Sequence, residues 1–117
     1  MSPSKTLLFA AAVSLLSACA TPQSLAPGTT LDEARAKLRK PTGTYPLAGG
    51  GTRLQYSNQP FDQSVWNADF DAQGRLAQVE QMMTDAAFAR VQPGKDTQND
   101  VLRDFGQPAY VYQPKAK

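Results

Sequence analysis

The chain contains no histidine and one cysteine, Cys19. Without histidine, the commonest general base near neutral pH is missing, and zinc loses its most frequent nitrogen ligand. A single cysteine excludes an internal disulfide, so the core alone must hold the fold. Charge of one sign is also lacking: 12 Lys+Arg face 10 Asp+Glu, for a formal net charge of +2. That balance gives no basic field, and no nucleic-acid partner is expected. Long apolar runs are absent too. The longest, Leu7 to Leu16 interrupted by Ser14, is about half of the ~20 residues that a spanning helix needs. The glycine triplet Gly49–Gly51 lacks the following lysine and helix of a phosphate-binding loop.

What is present begins with that short run. Lys5 precedes it and the small residues Ser17 and Ala18 follow, as in the apolar region and processing site of a secretory signal. Leu16-Ser17-Ala18-Cys19 resembles the bacterial lipobox, in which the cysteine thiol is acylated and becomes the first residue of the mature protein. An ordinary signal peptide would leave Cys19 as an exposed free thiol in an oxidising compartment, so lipid attachment at Cys19 is the expectation. Ala20, rather than aspartate, follows the cysteine, which resembles lipoproteins passed on to the outer membrane. The expected organisation is a signal peptide over 1–18, lipidated Cys19 and a proline-containing tether over 19–27, a domain over 28–112 and a tail over 113–117. The localisation implied is the periplasmic face of the outer membrane.

Within the domain, Thr30-Leu31-Asp32-Glu33 has the form of a capping box. Leu31, Ala34 and Leu38 then share one helical face, and Pro41 ends the helix near Lys40. The period changes to two at "TRLQYS", residues 52–57, with Leu54 and Tyr56 on one face and Arg53, Gln55 and Ser57 on the other. "VWNADFD" places Trp66, Ala68 and Phe70 together, with Asn67, Asp69 and Asp71 opposite on a solvated face. "DAQG", 71–74, is a hairpin turn leading into "RLAQVEQMM". There Ala77, Val79 and Met83 suit the inner face, while Leu76 and Met82 fall opposite. The expected fold is therefore α+β, a three-stranded antiparallel sheet packed by helices.

A short helix is expected from Thr84 or Asp85, and after it the first motif recurs. A shift of 67 residues sets Thr30 on Thr97, Glu33 on Asp100, Ala34 on Val101, Leu38 on Phe105 and Pro41 on Pro108. Proline-glycine lead-ins precede both copies, at Pro27-Gly28 and Pro93-Gly94. Gly106 is placed to end the second helix with positive φ.

These lead-ins, the strand–turn–strand "ADFDAQGRLAQV" and the closing "FGQP" resemble the SmpA/OmlA (BamE-like) family of outer-membrane lipoproteins, which includes a subunit of the β-barrel assembly machine. The resemblance runs from about Pro27 to Pro108 and implies two helices on a three-stranded sheet, an arrangement shared with β-lactamase-inhibitor-like modules. The chain departs from the family pattern at "LRKP", where a glycine usually precedes the proline, and after the second helix, where it reads "AYVYQPKAK". One full unit and the helical start of a second are implied. The partners implied are the outer membrane through its lipid, subunits of the β-barrel assembly machine, and anionic phospholipid.

Chemistry has few candidates. Asp32 and Glu33 occupy the first turn of a helix, where acids stabilise its dipole. Asp69 and Asp71, about 7 Å apart along a strand, make too few oxygen ligands for calcium. No catalytic residue, metal site or cofactor is expected. Binding is the remaining class. Phe61, in the loop "NQPFDQ", is the best exposed aromatic, and with Arg53 and neighbouring Tyr56 it forms the candidate partner-binding patch. Arg35, Lys37, Arg39 and Lys40 form a basic cluster on the first helix, read as a solvated face or, alternatively, as a site for lipid headgroups, with Arg35, Arg39 and Lys40 its named contacts. The function expected is support of β-barrel protein assembly or envelope integrity. The alternative is a stand-alone binding or inhibitor-like module for another protein or anionic lipid.

Overall fold

The computed structural model describes residues 20–116. The expected signal segment 1–18 and Cys19, the expected site of lipid attachment, lie outside the described residues. A 3-10 turn at Pro22–Ser24 leads to α1 (Leu31–Lys37), four strands, β1 (Gly43–Pro46), β2 (Thr52–Ser57), β3 (Val65–Phe70) and β4 (Leu76–Gln81), and then α2 (Asp85–Phe88) and α3 (Gln98–Phe105). The strands form one antiparallel sheet in the order β1-β2-β3-β4.

The fold is α+β as expected, but the sheet has four strands rather than three. The added strand, β1, is four residues long and ends in Pro46. Its length hides its alternation, and its place at the sheet edge tolerates a proline that cannot donate to a ladder. A tight glycine turn connects it to β2. Gly51 is required there, because a Cβ at that position would lie 2.3 Å from the Phe70 carbonyl oxygen.

Both capping boxes form. Glu33 N–H donates to Thr30 Oγ1 at 3.2 Å while Thr30 N–H donates to the Glu33 carboxylate at 3.2 Å. The Thr97–Asp100 pair repeats this at 3.2 and 2.8 Å. The recurrence is thus realised in backbone geometry, with Gly28 and Gly94 at φ 81° and 80°. It fails at one packing position: Ala34 is fully buried, whereas its counterpart Val101 is exposed. Helix α1 stops at Lys37, earlier than expected, because Leu38 turns extended and drops into the core.

Two apolar clusters lie on opposite sides of the sheet. Beneath α1, Ala34 and Leu38 pack on Leu54, Tyr56, Ala68, Phe70 and Leu76. Burying a side chain the size of Phe70 contributes about 1.5–3 kcal/mol. On the other side, Val65, Met82, Ala87 and Phe105 join the sheet to α2 and α3, and Phe88 stacks on Phe105 with ring centroids 5.2 Å apart. The imperfect alternation of β4 has a physical cause. Phe70 pairs with Leu76 but Asp69 pairs with Gln78, so Ala77 is the extra residue of a bulge. The bulge puts Leu76 and Val79 on the same side, against α1, and leaves Ala77 exposed.

The segment 20–27, expected to be a tether, is packed instead. Pro22 is buried in the 3-10 turn, and Ala20 and Leu25 rest against the α1-side cluster. Gly28 N–H and the Thr29 carbonyl then bond to Leu76 at 3.2 and 2.8 Å.

Candidate functional site

The second face of the sheet is the least expected part of the molecule. Asn67 and Asp69 were expected to face solvent, but they are 1% and 9% exposed, and Gln55 beside them is 2% exposed. What covers them is the C-terminal end of α3. A helix ends with carbonyls that have no intrahelical partner, and here the sheet supplies the donors. Gln55 Nε2 donates to the Arg103 carbonyl at 2.9 Å, and Asn67 Nδ2 donates to the Asp104 carbonyl at 2.9 Å. Gln55 also donates to Asn67 Oδ1 at 3.1 Å, so the two amides orient one another.

Arg53 extends this row. Its Nε and Nη2 grip the Asp69 carboxylate at 2.7 and 2.9 Å, and its Nη1 reaches Asp104 Oδ1 at 2.8 Å and the Arg103 carbonyl at 3.2 Å. A cation at a helix C-terminus also opposes the negative end of the dipole. The hydrogen bond to Asp69 raises the Arg53 pKa against the opposing effect of burial. With 12% of its side chain exposed, Arg53 is a structural bracket between sheet and helix. Gly106 closes the helix at φ 82°, and a Cβ there would come within 3.3 Å of Gln55 Oε1.

The candidate patch therefore does not assemble. Phe61 is 95% exposed, as its loop position suggested. Tyr56, at 1% exposure, belongs to the α1-side core. Arg53 is half-buried on the opposite face of the same strand, about 13 Å along β2 from Ser57 where the Phe61 loop begins. The sequence placed Leu54 and Tyr56 correctly on a common inner face. That shared buried face removes Tyr56 from any exposed patch.

The four members of the basic cluster, Arg35, Lys37, Arg39 and Lys40, are all exposed. Arg39 is engaged: its Nη2 donates to Asn58 Oδ1 at 2.7 Å, and its guanidinium lies 5.6 Å from the centroid of the Tyr56 ring. Tyr56 is held above the ordinary tyrosine pKa by burial, with Arg39 and Arg35 pulling it back. Its hydroxyl is buried with no hydrogen-bond partner.

Phe61 is presented by a closed loop. Asn58 N–H donates to the Ser64 carbonyl at 3.0 Å, Phe61 N–H to the Asn58 carbonyl at 2.9 Å, and Asn58 Nδ2 to Ser64 Oγ at 2.7 Å. Asp62 accepts from both the hydroxyl and the N–H of Ser64, which lower its pKa in that order. Three clefts surround this end of the sheet. One, of about 280 Å³, is lined by Ala20, Lys37, Arg39, Tyr56 and Trp66. A second, of about 490 Å³, is lined by Arg39, Asn58, Phe61 and Asp62. The third, of about 400 Å³, is the most apolar and is lined by Met83, Val101, Leu102, Phe105, Pro108 and Val111.

Sequence reasoning missed this third cleft and the surface beside it. Tyr110, Val111 and Tyr112 are 78%, 62% and 73% exposed. A signal was present: the 67-residue shift, carried one step further, sets Tyr110-Val111-Tyr112 on Gly43-Thr44-Tyr45 of β1.

No chemistry-bearing cluster among the described residues takes the place of that patch. Among the described residues no group of three or more His, Cys, Asp or Glu side chains is placed to hold a metal ion. Asp69 is committed to Arg53, and the Asp71 carboxylate accepts the N–H groups of Gln73 and Arg75 at 2.9 and 3.0 Å within its turn. Among the described residues, no helix is long and apolar enough to cross a membrane. Compared with known proteins, the chain matches no family model, and no curated protein or solved structure is significantly similar to it.

Proposed function

We propose that this protein is a non-enzymatic, lipid-anchored module of the outer membrane that faces the periplasm and acts through surface contacts in support of β-barrel protein assembly or envelope integrity. The anchor rests on the lipobox-like Leu16-Ser17-Ala18-Cys19. The assembly role rests on the SmpA/OmlA-like motifs, and a resemblance of fold and motif is associational support for a function. The non-enzymatic character rests on composition: no histidine, and one cysteine with a role in lipid attachment.

One observation carries the contact role. The apolar α3 cleft opens beside Val101 and continues into the exposed Tyr110-Val111-Tyr112 segment. Contiguous exposed apolar surface of this kind marks interaction sites in soluble domains, and aromatic side chains are effective anchors in them.

A second reading, a stand-alone binding or inhibitor-like module for another protein or anionic lipid, is favoured by a different observation. Arg35, Lys37 and Lys40 are exposed along α1 and its exit, a basic surface that suits an acidic partner or anionic headgroups. A crosslinked pull-down from detergent-solubilised envelopes, with Cys19→Ala and Val111→Asp variants, separates the two. Recovery of β-barrel assembly subunits, weakened by Val111→Asp and lost with Cys19→Ala, supports the scaffold. Recovery of one unrelated partner supports the stand-alone module.

A further inference from the structure

We infer that the end of the molecule bearing Ala20, Arg39 and the Phe61 loop lies against the bilayer, with Phe61 inserted at the level of the lipid headgroups. The inference rests on lipid attachment at Cys19 and goes beyond it, because it fixes which face of the domain meets the membrane.

The first observation is the absence of slack. A lipid on Cys19 is one residue from Ala20, and consecutive Cα atoms are 3.8 Å apart. Ala20 is packed against the α1-side cluster, Pro22 is buried, and the 3-10 turn is closed by the Leu25 N–H to the Pro22 carbonyl at 3.3 Å. A free tether would let the domain present any face to the membrane. A docked one holds the bilayer close to whatever surrounds Ala20.

What surrounds Ala20 is suited to a lipid surface. Its cleft is lined by Lys37, Arg39, Trp66 and Tyr56. Tyr56 is 1% exposed and its hydroxyl has no partner. The exposed donors of this cleft are instead Lys37 and Arg39, whose cations suit the phosphodiester oxygens of glycerolipids. The hydrogen bond from Arg39 to Asn58 forms the wall between this cleft and the next, since both residues line both. Phe61 stands on the far side of that wall at 95% exposure.

Phenylalanine, with Trp and Leu, forms the apolar face of segments that lie at the boundary of headgroups and acyl chains, while their polar neighbours meet the headgroups. The loop bonds fix the backbone at Phe61, and its ring stands 95% exposed, away from the domain. Asp62, whose pKa is lowered by its bonds to Ser64, remains ionised beside it. A fixed charge next to the ring limits insertion to headgroup depth, because an ionised carboxylate does not follow into hydrocarbon.

The experiment uses the full, lipidated protein. With Cys19 blocked as a thioether, Phe61→Cys supplies one free thiol for an environment-sensitive fluorophore. Gln73→Cys supplies the same probe in the exposed 71–74 turn at the opposite end of β3. Both are reconstituted in phosphatidylcholine vesicles containing headgroup-proximal doxyl lipid, and flotation is scored in parallel. The expected result is co-flotation, with the probe at position 61 blue-shifted and losing most of its emission and the probe at 73 unaffected. Co-flotation with a water-like, unquenched probe at 61 overturns the face assignment while leaving the anchor intact, and frees Phe61 for a protein partner. Failure of the lipidated protein to float overturns both. Equal quenching at 61 and 73 also overturns it, because that describes a domain with no fixed orientation.

Discussion

Replacing Asn67 by leucine, a side chain of the same shape, tests whether the polar face of the sheet holds α3. On an open strand face such a change is close to neutral, within about 0.5 kcal/mol. In the structure Asn67 is 1% exposed and joins two hydrogen bonds, to the Asp104 carbonyl and from Gln55. Its loss leaves the Asp104 carbonyl without that donor, which costs about 1–3 kcal/mol. Gln55 Nε2 carries two N–H groups: one keeps the Arg103 carbonyl, and the other, bonded to Asn67, loses its acceptor inside the molecule at a further cost of about 1–3 kcal/mol. The expected loss is about 2–6 kcal/mol, a large share of the roughly 5–15 kcal/mol typical of a small domain. Urea unfolding followed by the fluorescence of Trp66, the single tryptophan, reads it directly. An unchanged midpoint with an unchanged slope would refute the packing of α3 on this face.

Tyr56→Phe should work in the other direction, raising stability by about 1 kcal/mol, because it removes a buried hydroxyl that has no partner. The raised Tyr56 pKa means that its protonated form stabilises the fold below the ordinary tyrosine value and that this contribution is lost as pH rises through the folded value; alkaline titration of the variant should show a shallower decline than wild type. Glu80 has the opposite sign. Its pKa is lowered by the hydrogen bonds from Arg90, so its contribution is present above the ordinary carboxylate value and is lost as pH falls through the lowered one. Glu80→Gln should flatten the acid limb as pH falls below the ordinary carboxylate range, a modest effect for a partly exposed pair, and an acid limb identical to wild type contradicts the pairing.

The elements that the sequence made legible are those with a local cause. Thr30 and Thr97 announce helix starts through reciprocal hydrogen bonds three residues apart. Gly74 announces its turn through a left-handed φ of 75°. Leu54 and Tyr56 announce a buried face by spacing alone. What remained hidden depends on contacts distant in the chain. Gln55, Asn67 and Asp69 are polar at strand period, the pattern of a wet face, and only a helix end some 40 residues later makes that face an interior. The bulge at Ala77 disguised β4 in the same way, by shifting the register against β3. The candidate patch failed for a related reason. Phe61 is decided by its loop and was legible, whereas Arg53 finds its partner Asp104 across 51 positions of sequence.

Everything proposed about membrane and partners begins at Cys19, and its modification can be weighed. The protein extracted from the membrane fraction of expressing bacteria is measured by intact-mass spectrometry beside the Cys19→Ala variant. The expected wild-type species lacks residues 1–18 and carries the mass of an acylated glyceryl group and an amide-linked acyl chain on Cys19, while the variant is unlipidated. A wild-type chain that begins at another residue, with an unmodified Cys19 thiol, would contradict the anchor and with it the orientation of the domain at the bilayer.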